Sequence, residues 1–149
     1  MSTALSEATL EEAATDVARL ATLLDHVDAT IAERTRQLVW QGSAAQRFDD
    51  RIRAVRAAGQ SRSEELVHVA RLLRAAAERV RAEQVALSHD QTFVDTVLRT
   101  EHDPTAFLRS IGWTRPALPP PGDPAWQGLA ERVRDAADHP GPPTGGAGL

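Results

Sequence analysis

The stretch Trp40-Gln41-Gly42-Ser43-Ala44-Ala45-Gln46-Arg47-Phe48 decides how the rest of the chain is read. A long amphipathic pattern ends just before it in Leu38-Val39, and a longer one begins just after it. Glycine reaches the left-handed backbone that often ends a helix. Ser43 stands where an N-cap belongs, and Gln46 three residues on completes the spacing of a capping box. The stretch therefore reads as the corner of an antiparallel two-helix hairpin. Trp40, in the last turn of the first helix, is expected to lay its indole over the first turn of the second, near Ala44 and Phe48.

Working outward, Leu10, Val17, Leu24, Ile31 and Leu38 recur every seven residues in the first arm, with Ala13, Leu20 and Val27 between them. That is the a/d pattern of a helix-helix seam. Thr9 with Glu12 has capping-box spacing, and Ser2 and Ser6 are equal candidates for the helix start. The second arm carries Ala45, Ile52, Leu66, Leu73, Val80, Leu87 and Val94 at one heptad position, and Phe48, Val55, Val69, Ala76 and Val97 at the other. Gly59-Gln60-Ser61-Arg62-Ser63 interrupts it. A continuous but bent helix is the preferred reading, because the pattern resumes in phase; a break capped by Ser63 is the alternative. Ser88-His89-Asp90 is a second candidate break. Proline disfavours helix in the residue before it, so the arm should end near Asp103-Pro104.

Helices over about residues 6–39 and 44–101 would measure roughly 50 and 85 Å at 1.5 Å per residue. Folded back at Gly42, the second overhangs the first, and the overhang still carries Val80, Leu87, Val94, Val97 and Leu98. Two helices also bury only one seam between them. Both points predict association into a four-helix bundle made of two hairpins. The organisation expected is a hairpin over residues 1–103 and an extension over 104–149. The extension should hold short helices at about 105–111 and 124–138, a linker at Pro119-Pro120-Pro121-Gly122 and a Pro/Gly-rich disordered tail. Phe107, Leu108, Ile111 and Trp113 form an apolar patch within it. The second Trp-Gln-Gly, at Trp126-Gln127-Gly128, reads as coincidence, since Pro124 places it at a helix start.

Composition agrees with an all-α protein. Three Phe, three Trp and no Tyr leave an aliphatic, alanine-rich interior, and proline is absent before residue 104. There is no cysteine, hence no disulfide and no thiolate chemistry. No apolar run approaches the roughly 20 residues that cross a bilayer, and the N-terminus lacks the order of a signal peptide. The net charge of -4 is uneven: residues 1–33 carry seven acids and one base, residues 34–81 eleven arginines and five acids. In an antiparallel hairpin these fields largely cancel, so nucleic-acid binding is not expected.

The corner and its setting resemble the WXG family, the ESAT-like helical hairpins of type VII secretion systems of actinobacteria and Firmicutes. The residues that carry the resemblance are Trp40-Gln41-Gly42, Ala44-Ala45 and Phe48, with heptad arms on both sides, over about residues 5–87. The resemblance implies a non-enzymatic protein that pairs with itself or a paralogue and leaves the cell folded, without a cleaved signal. Family members commonly carry a Tyr-x-x-x-Asp/Glu export signal after the second arm; here that place holds Val80-Arg81-Ala82-Glu83-Gln84. Gln91, Asp95, Leu98 and His102 fit a longer family pattern, on one helical face, that would dock on the secretion ATPase.

The expected turn motif is thus Trp40, Gly42, Ser43 and Phe48. The expected partner interface is Val17, Leu20, Leu24, Val27, Ile31, Ile52, Val55, Leu66, Val69, Leu73 and Val80. His26, His68, His89, His102 and His139 lack ligand spacing, and the paired acids Glu11-Glu12, Asp49-Asp50 and Glu64-Glu65 read as solvated faces. No phosphate loop or nucleophile elbow occurs. Neither catalysis, cofactor nor metal is expected. The competing reading is a cytoplasmic coiled-coil adaptor with a purely structural corner.

Overall fold

The computed structural model describes residues 6–38 and 41–139. Among the described residues the chain is all-α, without a strand: α1 is Glu7–Arg36, α2 Ser43–Thr100, α3 Pro104–Ser110 and α4 Ala125–Asp138. It divides into two compact units, Met1–Arg81 and Ala82–Leu149, and the division falls inside α2. The sequence places its boundary at residue 103. The difference arises because the overhang of α2 is not bare: Val94 belongs to the buried core of the second unit, and Leu87, Val97 and Leu98 pack against that core.

The first unit is α1 packed antiparallel on α2. Ser6, of the three candidate starts, caps α1, its Oγ accepting the Thr9 N–H at 3.2 Å. The helix ends at Arg36, short of the expected residue 39. Gly42 turns the chain with φ +108°, a conformation that L side chains rarely adopt, although a Cβ there would meet nothing within 4 Å. Ser43 is corrected from N-cap to first helical residue. Gly42 takes the capping place, its carbonyl accepting the Gln46 N–H at 3.2 Å. Trp40 lies outside the described residues, so its expected contact with Ala44 and Phe48 does too.

One heptad position of each arm lies inward as expected, and the other is shifted by one residue. On α1 the inward positions run Leu10, Ala14, Val17, Ala21, Leu24, Asp28, Ile31 and Thr35, all buried or half-buried. On α2 they run Ile52, Arg56, Gly59, Ser63, Leu66, Ala70, Leu73, Ala77 and Val80. Alternate layers are therefore small: Ala14, Ala21, Ala70 and Ala77 are at most 3% exposed. Leu20, Val27, Val55 and Val69, read from the sequence as the second seam position, lie one step outside it. The helices close on alanine, where a larger side chain would hold them apart.

Two polar layers sit in this seam. Arg56 donates through Nε and Nη2 to the two carboxylate oxygens of Asp28 at 2.9 and 3.1 Å. Ser63 Oγ lies 2.7 Å from Asp25 Oδ1 and 3.3 Å from the Ala21 carbonyl, and its single hydrogen suits the nearer acceptor. Ser63 thus spends its hydroxyl across the hairpin and not on a cap. That favours one continuous α2 through Gly59, and the helix is unbroken at Ser88-His89-Asp90 as well. Arg81 Nε to Glu7 Oε1, 3.0 Å, closes the open end.

The second unit is built differently. Trp126, Leu129, Ala130 and Val133 of α4 and Val94 of α2 form its buried core. Phe93, Val97, Phe107, Leu108, Ile111 and Trp113 pack around them half-buried, so the apolar patch expected on the extension turns in part toward this core. Asp103 caps α3 by accepting the Ala106 N–H at 3.0 Å, with Pro104 at the first turn. α3 then ends in a Schellman motif: Trp113 N–H reaches the Leu108 carbonyl at 2.9 Å, Gly112 N–H the Arg109 carbonyl at 3.0 Å, and Gly112 has φ +77°. The prolines are not a free linker. Pro119 is buried, and the Pro120 carbonyl accepts both the Trp126 indole Nε1–H at 2.9 Å and the Asp123 N–H at 3.1 Å. Pro124 stands at the capping place of α4, and Asp123 just before it accepts the Ala125 N–H at 2.8 Å. The tail beyond His139 lies outside the described residues.

Candidate partner interface

The two flanks of the hairpin differ. On one, Leu24 of α1 and Ala58, Gly59, Leu66 and Val69 of α2 line an open, mostly apolar depression that also includes the ion pair Arg62–Glu65. Leu20 and Val27 are four residues before and three after Leu24, so they share its face, and Val55 lies two heptads before Val69. Leu23 and Leu72 extend the strip outward. These six large side chains, Leu20, Leu23, Val27, Val55, Val69 and Leu72, are each between 41% and 56% exposed. The opposite flank groups Asp25, Gln60, Ser63, Glu64 and Arg71 around a single valine, Val67.

Energetics sharpen the contrast. Burying an alanine methyl contributes about 0.8 kcal/mol, whereas a fully buried Leu or Val contributes roughly 1.5–3 kcal/mol. The seam invests its closest layers in alanine, and half a dozen larger side chains stay on the flank. Much of the unit's available apolar stabilisation is therefore unrealised in the isolated hairpin.

The expected interface residues divide accordingly. Val17, Leu24, Ile31, Ile52, Leu66, Leu73 and Val80 are half-buried along the intramolecular seam, whereas Leu20, Val27, Val55 and Val69 are on the open flank. Leu72 was missed, and Leu23, although it widens the apolar stripe of the first arm in the sequence, was left out of the expected interface, because both fall outside a strict a/d count. The small seam residues were missed because pattern reading favours large apolar side chains, although Ala14 with Ala21 and Ala70 with Ala77 do repeat at the heptad interval.

Of the turn motif, Gly42 and Ser43 are exposed and Phe48 is half-buried. The expected docking strip is not a single helical face. Gln91, Asp95 and Leu98 are on α2, but Leu98 packs on the core of the second unit and His102 lies in a bend beyond the helix end at Thr100. The cause is the Asp103 cap, which starts α3 and takes the chain out of the helical path just before it.

Asp28 and Arg56 shift one another's titration. Hydrogen bonding from Arg56 holds the Asp28 carboxyl below the usual carboxylate range, and the carboxylate raises the guanidinium in return. The pair sets register: a heptad slip would separate a carboxylate and a guanidinium that are 17% and 36% exposed in the hairpin. Among the described residues no group of His, Asp and Glu is arranged to hold a metal, and no helix is long and apolar enough to cross a membrane. Compared with known families, characterised proteins and solved structures, the chain matches none of them.

Proposed function

We propose that this protein is a non-enzymatic partner protein that works by helix-helix association through the apolar flank of its hairpin. The observation that carries the reading is the one-sided strip of Leu20, Leu23, Val27, Val55, Val69 and Leu72. Its occupant is a second hairpin, from the same chain or a paralogue, completing a four-helix bundle. The resemblance of the Trp40-Gln41-Gly42 corner to WXG proteins supports placing the pair with a type VII secretion system, as a secreted or co-secreted partner. Without a Tyr-x-x-x-Asp/Glu signal on this chain, the partner supplies it. The second reading, a cytoplasmic coiled-coil adaptor, draws on the same flank and the polar register layers.

Leu20→Glu with Val69→Glu should abolish association while leaving helicity intact, because both side chains are already exposed in the hairpin. The measurement is mass by light scattering beside far-UV circular dichroism. A wild-type chain that stays monomeric at high micromolar concentration, alone and with any short Trp-x-Gly protein encoded beside it, would remove the association reading. Culture supernatant from cells with and without the secretion ATPase separates the two settings: ATPase-dependent appearance outside the cell supports export, and strict retention supports the adaptor.

A further inference from the structure

In the second unit, α3 and the loop after it enclose a cleft of about 620 Å³, within the size range of small-ligand sites. Thr105, Leu108, Arg109, Trp113, Arg115 and Leu118 are among its walls, and none of the residues that line it is acidic. That is unusual here, because residues 82–149 carry nine acids against five arginines. Arg132 and Arg134 of this unit are engaged, the first on the Ile111 and Gly112 carbonyls and the second on Asp90. Arg109 and Arg115 have no carboxylate partner among the described residues.

Arg115 is instead held over the Trp113 ring, 5.3 Å from its centroid. A guanidinium parked on an indole keeps its in-plane N–H donors available for a planar anion. Trp113 also carries the one buried side-chain donor without an acceptor among the described residues, its indole Nε1, which is closed off from solvent. Leu108 and half-exposed Leu118 supply an aliphatic side to the cleft, so an inorganic anion would leave that side unused.

We propose that this cleft binds a carboxylate carried on a branched aliphatic body, with Arg109 and Arg115 on the carboxylate and Leu108 and Leu118 on the aliphatic group. Such a ligand comes either as a free short-chain acid or as the end of a peptide. The site is independent of the hairpin flank and does not rest on the association reading.

The test uses the full chain labelled with 15N and follows its indole N–H resonances, with that of Trp113 assigned through Trp113→Phe. The probes are isovalerate, the peptide Ac-Ala-Ala-Leu with a free carboxylate, and the same peptide as its amide. Both acids should move the Trp113 signal saturably in the millimolar range and the amide should not. Arg109→Gln and Arg115→Gln should each weaken binding about tenfold or more, the loss expected for one charge-assisted hydrogen bond. An unmoved Trp126 signal reports that the core of each variant is intact. Tighter binding of the peptide assigns a peptide end, and tighter binding of isovalerate assigns a free acid. The proposal is overturned if no saturable movement occurs, if the amide matches the acid, if inorganic phosphate matches it, or if neither arginine variant changes the response.

Discussion

The two units of this chain solve the problem of a small helical core in opposite ways. The hairpin closes on Ala14, Ala21, Ala70 and Ala77 and inserts two polar layers, whereas the second unit closes on Trp126 with Leu129, Val133 and Val94. A single tryptophan buries on the order of 150–250 Å², several times what one alanine methyl removes from water. The second unit can therefore complete its core in cis. The hairpin gains close approach and a fixed register, and leaves its larger side chains on the flank. An alanine seam beside a leucine-valine strip is the feature on which the proposed association rests.

The largest expected effect breaks the second unit. Trp126→Ala removes a side chain that is 2% exposed and the hydrogen bond to Pro120, and should cost about 3–5 kcal/mol. Denaturation followed by near-UV signals should show that unit melting early, with the hairpin's helicity retained. Next, Ala77→Leu forces a large side chain into a seam position that is 0% exposed, and should cost about 1–3 kcal/mol in the hairpin. If alanine is only filling space, with no close approach to protect, the leucine will be neutral or stabilising in chemical denaturation.

A pH series sharpens the comparison further. Asp28 has a depressed carboxyl, so its contribution is fully present above the ordinary carboxylate range and is lost as pH falls through the lowered value. The hairpin's midpoint should therefore hold between about pH 5 and 8 and decline in acid, and Asp28→Asn should flatten some of that decline. The smallest change expected is a gain. Gly59 is helical, and a Cβ there would meet nothing within 4 Å, so Gly59→Ala should stabilise α2 by about 0.5–1 kcal/mol. Destabilisation would mean that Gly59 marks a functional bend.

Much of this was legible in the sequence. The corner at Gly42, the antiparallel sense of the arms and the end of α2 before Pro104 follow from glycine, proline and heptad spacing, which act over a few residues. One of the two heptad positions on each arm was read correctly, with Leu10, Val17, Leu24 and Ile31 of α1 and Ile52, Leu66, Leu73 and Val80 of α2 in the seam, and the other was misplaced by one residue. Leu20 and Val27 are the more hydrophobic candidates, and only the approach of a second helix reveals that Ala21 and Asp28 face it. The candidate interface was accordingly half legible: Leu20, Val27, Val55 and Val69 were named, but within a seam they do not enter. The docking strip failed at His102 because the cap at the adjacent Asp103 redirected the backbone.

By itself the sequence determined the element types, because propensity, capping and turn chemistry are local and leave alternating arms and breaks little choice. Only the tertiary structure decided which face of each arm turns inward and where the second unit begins. Both depend on non-local packing: alanine lets two helices close, Arg56 finds Asp28 from the other arm, and Trp126 gathers the far end of α2 into a core of its own.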